Sequence, residues 1–310
     1  MDDCVVQVRE FTKKYGTFTA VNSITFDVGR GEVFGLLGPN GAGKTTTLEC
    51  LEGLRQPDAG ILRIMGLDPA HDAARLRDLT GVQLQSSAMP ENITVREAMR
   101  FFCAYHGVAP RFDLIERFGL SAKFDTQFSM LSTGQKRRLA LALAIAHRPQ
   151  VLFLDEPTAG LDVSSRVELH DIIHELNSDG TTIILSSHDM AEVEKLVDRV
   201  AILLRGTIAA IGSPYDLTAT GAGLTKITVQ SEGDSLSDGH AFPGVQQHSI
   251  VDHHLVYFST APAKTVAALL EHLAQHDDAL IDLRVERPSL EERFLEITRA
   301  DHAAKPEVTR

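Results

Sequence analysis

The sequence has few of the residues that stabilise small secreted folds. It contains no tryptophan and only three cysteines, Cys4, Cys50 and Cys103, which form no CxxC pair. This spacing argues against a disulfide framework or a cysteine-based metal site, and it is typical of reduced thiols in the cytoplasm. Long apolar runs are also missing, because the longest, around Leu139 to Ala146, is far shorter than the ~20 residues that span a bilayer.

Basic residues are scarce as well. The chain has 30 lysines and arginines against 42 aspartates and glutamates, a formal net charge of −12. Short basic clusters occur at residues 13–14 and 136–138, but no basic stretch is continuous, so we expect no nucleic-acid partner. The first residues also lack a basic stretch followed by an apolar one, which predicts no signal peptide and a cytoplasmic location.

The 310 residues that are present are enough for two modest domains. Short continuous apolar runs at residues 33–37, 151–154 and 182–185 are typical of strands buried on both faces of a parallel sheet. Helical patterns separate these runs, which favours a layered α/β domain. We expect this domain to cover residues 1–220.

A second, smaller domain is predicted after the glycine-rich stretch at residues 220–223. Strand-like and helical segments follow one another there, so we expect an α+β domain over residues 221–300. Ser289 and Glu292 form a capping-box pattern that opens a final helix through Ile297. Residues 301–310 are expected to be a tail.

A phosphate-binding loop is indicated at residues 38–45, which match the pattern G-x-x-x-x-G-K-[ST] between a buried strand and a helix-like segment. Glycines let the backbone wrap closely around phosphate oxygens, and the helix start favours an anion. Lys44 would neutralise the β- and γ-phosphates, and the Thr45 hydroxyl would hold Mg²⁺. The expected nucleotide-binding residues of this segment are Gly38, Pro39, Asn40, Gly41, Ala42, Gly43, Lys44, Thr45 and Thr46.

Two acids, Asp155 and Glu156, end the apolar run that begins at Val151. Ligands of open α/β sheets bind at the carboxyl ends of the strands. Asp155 is therefore expected to reach Mg²⁺, directly or through water. Glu156 is expected to orient or deprotonate a water that attacks the γ-phosphate.

The segment Leu131-Ser132-Thr133-Gly134-Gln135 resembles the hallmark Leu-Ser-Gly-Gly-Gln of the ATP-binding cassette (ABC) family. Further motifs follow in the order of that family. They are Tyr15 as the aromatic residue that stacks on adenine, Gln85 as the glutamine loop, Asp162 in Ala159-Gly160-Leu161-Asp162 as the dimer-contacting loop, and His188 as the switch histidine.

This resemblance implies a P-loop NTPase fold of the ABC type, with a mixed sheet and a helical subdomain at about residues 86–147. It implies ATP and Mg²⁺ as cofactors, Glu156, His188 and Gln85 in catalysis, and Thr45, Gln85 and Asp155 around the metal. In the family, Ser132, Gly134 and Gln135 reach the ATP held by a second ATP-binding subunit, here expected to be a second copy, and a permease on a separate chain spans the membrane. Thr133 departs from the hallmark glycine, and we expect its added bulk near the phosphate to alter the rate of turnover without inactivating the site.

The type of ABC protein is suggested by the segment 288–296, which resembles the end of the daunorubicin-exporter ATPase group. That group implies export of a drug-like, lipid or polysaccharide substrate and a position at the inner face of the cell membrane. The alternatives are an importer subunit, an ABC ATPase without a transport role, and a regulator that binds ATP without hydrolysing it.

Overall fold

The computed structural model describes residues 4–84, 89–219, 224–236, 241–251, 254–287 and 289–303. The chain divides into two compact units, Met1–Ser213 and Pro214–Arg310, a few residues before the boundary expected at 220. Within the described ranges, no helix has the length and apolar character needed to cross a membrane.

The first unit contains nine of the described strands and seven of the described α-helices. The strands are β1 (Cys4–Tyr15), β2 (Phe18–Gly29), β3 (Val33–Leu37), β4 (Ala59–Ile64), β5 (Thr80–Gln83), β6 (Val151–Asp155), β7 (Thr182–Ser187), β8 (Arg199–Leu204) and β9 (Thr207–Gly212). The helices are α1 (Lys44–Leu51), α2 (Ala73–Leu76), α3 (Val95–Tyr105), α4 (Phe112–Arg117), α5 (Thr133–Ala144), α6 (Val163–Ser178) and α7 (Met190–Leu196). Short 3₁₀ turns lie at Ser121–Lys123 and Phe128–Met130.

The main sheet of this unit has six strands in the order β5-β6-β7-β3-β8-β9. All its pairs are parallel except β8 with β9, and every residue of β3, β6 and β7 is buried. The predicted parallel strands are thus confirmed, within a mixed α/β fold. The register sets Leu37 beside Ser187 and Asp155 beside Ser186, so the carboxyl ends of β3, β6 and β7 lie together.

A three-stranded antiparallel sheet, in the order β2-β1-β4, lies in the same unit. The alternation of apolar and polar residues predicts strands here only at residues 5–8 and 24–28, whereas β1 and β2 each have 12 residues. The register of their pairing shifts at several points, which breaks the strict alternation of apolar and polar residues. Their inward residues, including Val6, Val8 and Phe11, join the apolar core of the main sheet.

Helices α3 and α5 belong to the predicted helical region and begin with capping boxes. Thr94 accepts from the amide of Glu97 at the start of α3, and Ser132 does the same for Gln135 at the start of α5. In return, the side chains of Glu97 and Gln135 accept from the backbone amides of Thr94 and Ser132, respectively. Helix α3 buries Met99 but leaves Phe101 and Tyr105 exposed, so its aromatic residues are only partly core.

The second unit contains four described strands and three described helices. The strands are β10 (Thr225–Ser231), β11 (Val245–Val251), β12 (His254–Ser259) and β13 (Leu280–Glu286), and the helices are α8 (Pro214–Ala219), α9 (Pro262–Gln275) and α10 (Leu290–Ala303). The strands form an antiparallel sheet in the order β11-β12-β10-β13. The core of this unit contains Ile227, Val229 and Tyr257 of the sheet with Leu269 and Leu273 of α9.

Two predictions from the sequence differ from the structure of this unit. Strand β11 was not predicted, because its polar stretch Gln247-His248-Ser249 carries no apolar alternation. The predicted tail at residues 301–310 begins too early, because α10 continues to Ala303. Residues 301–303 contain neither proline nor glycine, so nothing in the local sequence ends the helix there.

Candidate nucleotide-binding site

The loop between β3 and α1 forms a tight backbone cradle. Gly43 is the N-cap of α1 and has a φ of 103°, and a Cβ atom there would lie 2.7 Å from the carbonyl oxygen of Ala20. No other residue type fits this position without strain. No side chain caps the start of α1, so its first amide groups are available to an anion.

Lys44 lies at the first position of α1 and is buried, with 6% of its surface exposed. Its Nζ donates to the carbonyl oxygen of Gly38 at 2.7 Å and lies 3.5 Å from Glu156 Oε1. The ammonium group is therefore held inside the loop by backbone oxygens and a carboxylate. A buried cation in a ring of backbone groups is suited to binding phosphate.

Glu156 follows the last residue of β6 and has a left-handed backbone, with a φ of 48°. Its amide donates to Ser186 Oγ at 3.1 Å, which fixes this turn against β7. Its Oε2 lies 2.6 Å from His188 Nδ1. The carboxylate is 8% exposed while the His188 side chain is 57% exposed, so the histidine covers the carboxylate on the solvent side.

A second group of oxygens surrounds Asp155. Its Oδ1 accepts from Thr45 Oγ1 at 3.3 Å and also from the Ser186 hydroxyl. Among the described residues, no three His, Cys, Asp or Glu side chains form a metal cluster. Thr45 and Asp155 nevertheless fit Mg²⁺, which binds through one or two protein oxygens together with phosphate oxygens and waters. The third predicted metal residue, Gln85, lies outside the described residues.

A cavity of about 390 Å³ opens beside the loop and is lined by Tyr15, Phe18, Ala20, residues 40–46 and Glu156. Tyr15 is 41% exposed and Phe18 is 62% exposed, so both rings are accessible for stacking. The Lys13 ammonium lies 5.6 Å from the centre of the Tyr15 ring. Phe18 was not predicted to lie at this site, because its short Thr-Phe-Thr context is typical of an ordinary strand.

The predicted residues Gly38 and Pro39 do not line this cavity, but their carbonyl oxygens accept from Lys44 Nζ. The predicted residues Ser132, Gly134, Gln135 and Asp162 lie at two helix starts and are absent from the described lining of this cavity. Ser132 and Gln135 form the capping box of α5, and Asp162 caps α6 by accepting from the amide of Ser165 at 2.8 Å. The two helix starts are close together, because a Cβ atom at Gly134 would lie 3.1 Å from Ser165 Oγ. The roles that the sequence predicts for these residues stay predictions.

The model of the ABC transporter family matches residues 21–159. The linearmycin resistance ATP-binding protein LnrL of Bacillus subtilis is 33% identical over 95% of this chain and 98% of its own length. The chain belongs to the ABC transporter family. It is an ABC ATP-binding protein, and the predicted resemblance is confirmed.

Other relatives of this ABC protein also match along nearly the whole chain. A Nod factor export ATP-binding protein I of Paraburkholderia xenovorans is 36% identical over 96% of this chain and 98% of its own length. Daunorubicin resistance ATP-binding protein DrrA3 of Streptomyces coeruleorubidus is 32% identical over 98% of this chain and 99% of its own length. Both matches therefore extend through the second unit.

Solved structures agree with this assignment. An ATP-binding subunit of an ABC transporter is 27% identical and superposes with a TM-score of 0.64 over 69% of this chain and 91% of that structure. CbiO1 of Clostridium perfringens, part of an ABC transporter complex, is 29% identical and superposes with a TM-score of 0.63 over 70% of this chain and 92% of that structure. The predicted ABC-type fold is confirmed by these structures.

Proposed function

We propose that this chain hydrolyses Mg²⁺-bound ATP and drives a membrane exporter whose permease is a separate polypeptide. One observation carries the hydrolysis step: Glu156 is buried at the end of β6, between Lys44 and His188. A general base must lie close to the phosphate-binding groups and be held in one orientation. Glu156 meets both conditions.

In the proposed mechanism, Lys44 and the amides at the start of α1 bind the phosphates. Mg²⁺, held by Thr45 and Asp155, would neutralise phosphate charge, and Gln85 is proposed as a further contact. Glu156 orients the attacking water and accepts its proton, while His188 fixes the carboxylate through the 2.6 Å contact. Tyr15 is proposed to stack on the adenine, with Phe18 as a second aromatic wall.

We infer that hydrolysis needs a second ATP-binding subunit, and we propose a second copy of this chain. Ser132, Gly134, Gln135 and Asp162 lie at helix starts and are absent from the described lining of the ATP cavity. A helix start is suited to binding an anion. These residues are therefore proposed to contact the ATP held by the other subunit.

The export assignment rests on the relatives that match along nearly the whole chain. They are named for linearmycin resistance, Nod factor export and daunorubicin resistance. We propose that this chain likewise powers the export of a drug-like, lipid or polysaccharide molecule. It would act at the cytoplasmic face of the membrane, bound to its permease.

Two measurements test the proposal. The purified chain is assayed for ATP hydrolysis with and without Mg²⁺, and activity is expected only with the metal. Membranes of the native cells are then solubilised gently, and proteins that co-purify with the full chain are identified. A multi-span protein without its own ATPase domain is expected. Recovery with ribosomes or DNA, or with no membrane protein, would refute the exporter assignment.

A further inference from the structure

A cavity on the first unit lies at the end of the main sheet opposite to the phosphate loop. It has a volume of about 530 Å³, and its lining includes residues that directly precede β6 and β7, namely Pro149, Gln150 and Thr181. Part of its wall is apolar and is formed by Leu114, Ile145 and Leu176. A cavity of this size with mixed polar and apolar walls is typical of a site for a small organic molecule.

This cavity is basic although the chain is acidic. Its described lining contains three arginines, Arg111, Arg117 and Arg148, and one acid, Asp179. The whole chain has the opposite balance, with 42 acids against 30 lysines and arginines. Guanidinium groups gathered beside apolar surface favour an organic anion as the ligand.

Two of these arginines have weakly held partners. Arg111 donates from Nε to Asp113 at 2.9 Å, and Arg117 forms an ion pair with Glu175. The side chains of the two acids are 62% and 59% exposed, so both are solvated surface pairs. Such a pair contributes about 1 kcal/mol or less, so an anion in the cavity can compete with the carboxylates for these guanidinium groups.

The third arginine, Arg148, has an unpaired side chain and an unusual backbone. Its guanidinium group forms no ion pair or hydrogen bond with any residue that the structure describes. Its φ is 58°, in the left-handed region that glycine usually occupies after a helix. This conformation costs roughly 1–2 kcal/mol for other residue types. A strained arginine with a free guanidinium group in the lining of a cavity indicates a binding role.

We propose that this cavity binds a small organic molecule with a phosphate group, and that Arg148 is its main contact, with Arg111 and Arg117 around it. A guanidinium group can donate two parallel hydrogen bonds to a phosphate, which suits a cluster of arginines to this ligand. Leu114 and Leu176 would contact the organic part of the molecule. The described lining of this cavity shares no residue with that of the nucleotide-binding cavity, so the two sites are separate.

Four elements connect this cavity with the proposed hydrolysis site. Strands β6 and β7 begin beside the cavity and end next to Glu156 and His188, roughly 15 Å away. Helices α5 and α6 end at the lining residues Ile145 and Asp179, and they begin at the proposed contacts with the second subunit. A ligand that holds these ends together should therefore change the rate of ATP hydrolysis. This regulatory step rests on the proposed function, whereas binding of the ligand does not.

The test is a calorimetric titration of the purified full chain with three probes, namely glycerol phosphate, a hexose phosphate and a hexose bisphosphate. The wild type is compared with Arg148→Gln and Arg117→Gln. The control Arg75→Gln removes a guanidinium group from an exposed pair with Asp72 that does not line this cavity. Lys44→Ala shows whether a probe binds in the phosphate loop instead. The rate of ATP hydrolysis is then measured with and without each probe that binds.

At least one probe is expected to bind the wild type. Arg148→Gln should weaken this binding about tenfold or more, and Arg117→Gln should weaken it less, because its guanidinium group already has a partner. Arg75→Gln and Lys44→Ala should bind the probe as the wild type does. The bound probe should also change the hydrolysis rate of the wild type and leave that of Arg148→Gln unchanged. Melting temperatures of the variants show whether each of them is folded.

Three results would overturn the inference. They are no binding of any probe at millimolar concentration, equal binding by the wild type and Arg148→Gln, and loss of binding in Lys44→Ala. Equal binding with a lower melting temperature of Arg148→Gln would show that this arginine only stabilises the end of α5. A probe that binds as expected but leaves hydrolysis unchanged would overturn the regulatory step alone. If the chain hydrolyses no ATP, the proposed function fails, and the titrations still decide whether the cavity binds phosphate.

Discussion

Glu156 Oε2 and His188 Nδ1 lie 2.6 Å apart, at the carboxyl ends of two neighbouring strands. The pairing of Asp155 with Ser186 sets the register of these strands, and Glu156 follows β6 with a left-handed backbone. The same carboxylate lies 3.5 Å from Lys44 Nζ. The position of this carboxylate is therefore fixed by the main sheet, in which every residue of β3, β6 and β7 is buried.

Glu156→Gln should keep ATP binding and lower turnover by roughly 10²-fold or more, the usual contribution of a positioned base. The amide has the same shape as the carboxylate but cannot accept the proton of water. The rate of ATP hydrolysis by the purified chain gives the turnover, and titration with a fluorescent ATP analogue gives the affinity. The control is Glu168→Gln, at an exposed ion pair with Arg138, and it should behave as wild type. Near-normal hydrolysis in Glu156→Gln would show that another group is the base.

Lys44→Ala should lose most of its ATP affinity. The ammonium is buried in the loop, and its removal also leaves the carbonyl oxygen of Gly38 without this donor. Titration calorimetry with ATP and Mg²⁺ measures the loss. The control is Lys195→Ala, in the last turn of α7, which should bind ATP normally. Unchanged binding by Lys44→Ala would contradict its phosphate role.

Thr133→Gly restores the glycine that the family hallmark has at this position. We expect ATP binding to be intact and the rate of hydrolysis to be equal or higher, because the change removes bulk near the proposed second-subunit contact. The Thr133 methyl group lies 3.8 Å from the place where a Cβ of Gly160 would be, so it faces the loop after Glu156. The steady-state rates of ATP hydrolysis by the variant and the wild type are compared. A large loss of activity in the variant would show that the threonine is required.

The elements that sequence predicts best are those with strong local signals. Residues 33–37, 151–154 and 182–185 are continuous apolar runs, and all form buried parallel strands. The phosphate loop and the two acids at the end of β6 were predicted because their chemistry needs fixed residue types at fixed spacing. The ABC-type fold follows from these signals together with the ordered motifs.

Other features depend on contacts that a local pattern does not contain. Strands β1 and β2 were predicted too short, because shifts in their register break the alternation. Phe18 lines the ATP cavity only because β2 begins beside the phosphate loop. Gln83 and Glu52 are ordinary polar residues in the sequence, and only the fold brings them into one groove. Tertiary packing decides such positions, and a single sequence does not show it.

The stability of the chain should depend on pH through Glu52. Its pKa is about 8 in the folded protein, mainly because of burial, and about 4.3 in an unfolded chain. The folded state therefore binds the proton more tightly than the unfolded state. At low pH the carboxyl is protonated in both states and does not lower the free energy of unfolding. The folded state loses stability as pH rises from about 4 to about 8.

Glu52→Gln removes this titration, so the variant should be more stable than wild type, with a gain that grows between pH 5 and pH 8. Each pKa unit corresponds to about 1.4 kcal/mol, and partial exposure of the residue reduces the total, so we expect a gain of roughly 1–3 kcal/mol at pH 8. Urea unfolding at pH 5 and pH 8 measures it. The control Glu116→Gln, on the exposed side of α4, should stay within about 0.5 kcal/mol of wild type at both pH values. If the gain does not grow with pH, then burial does not raise the pKa of Glu52 in the folded protein. A gain that does grow would mean that the chain keeps a buried acid at a cost to its own stability.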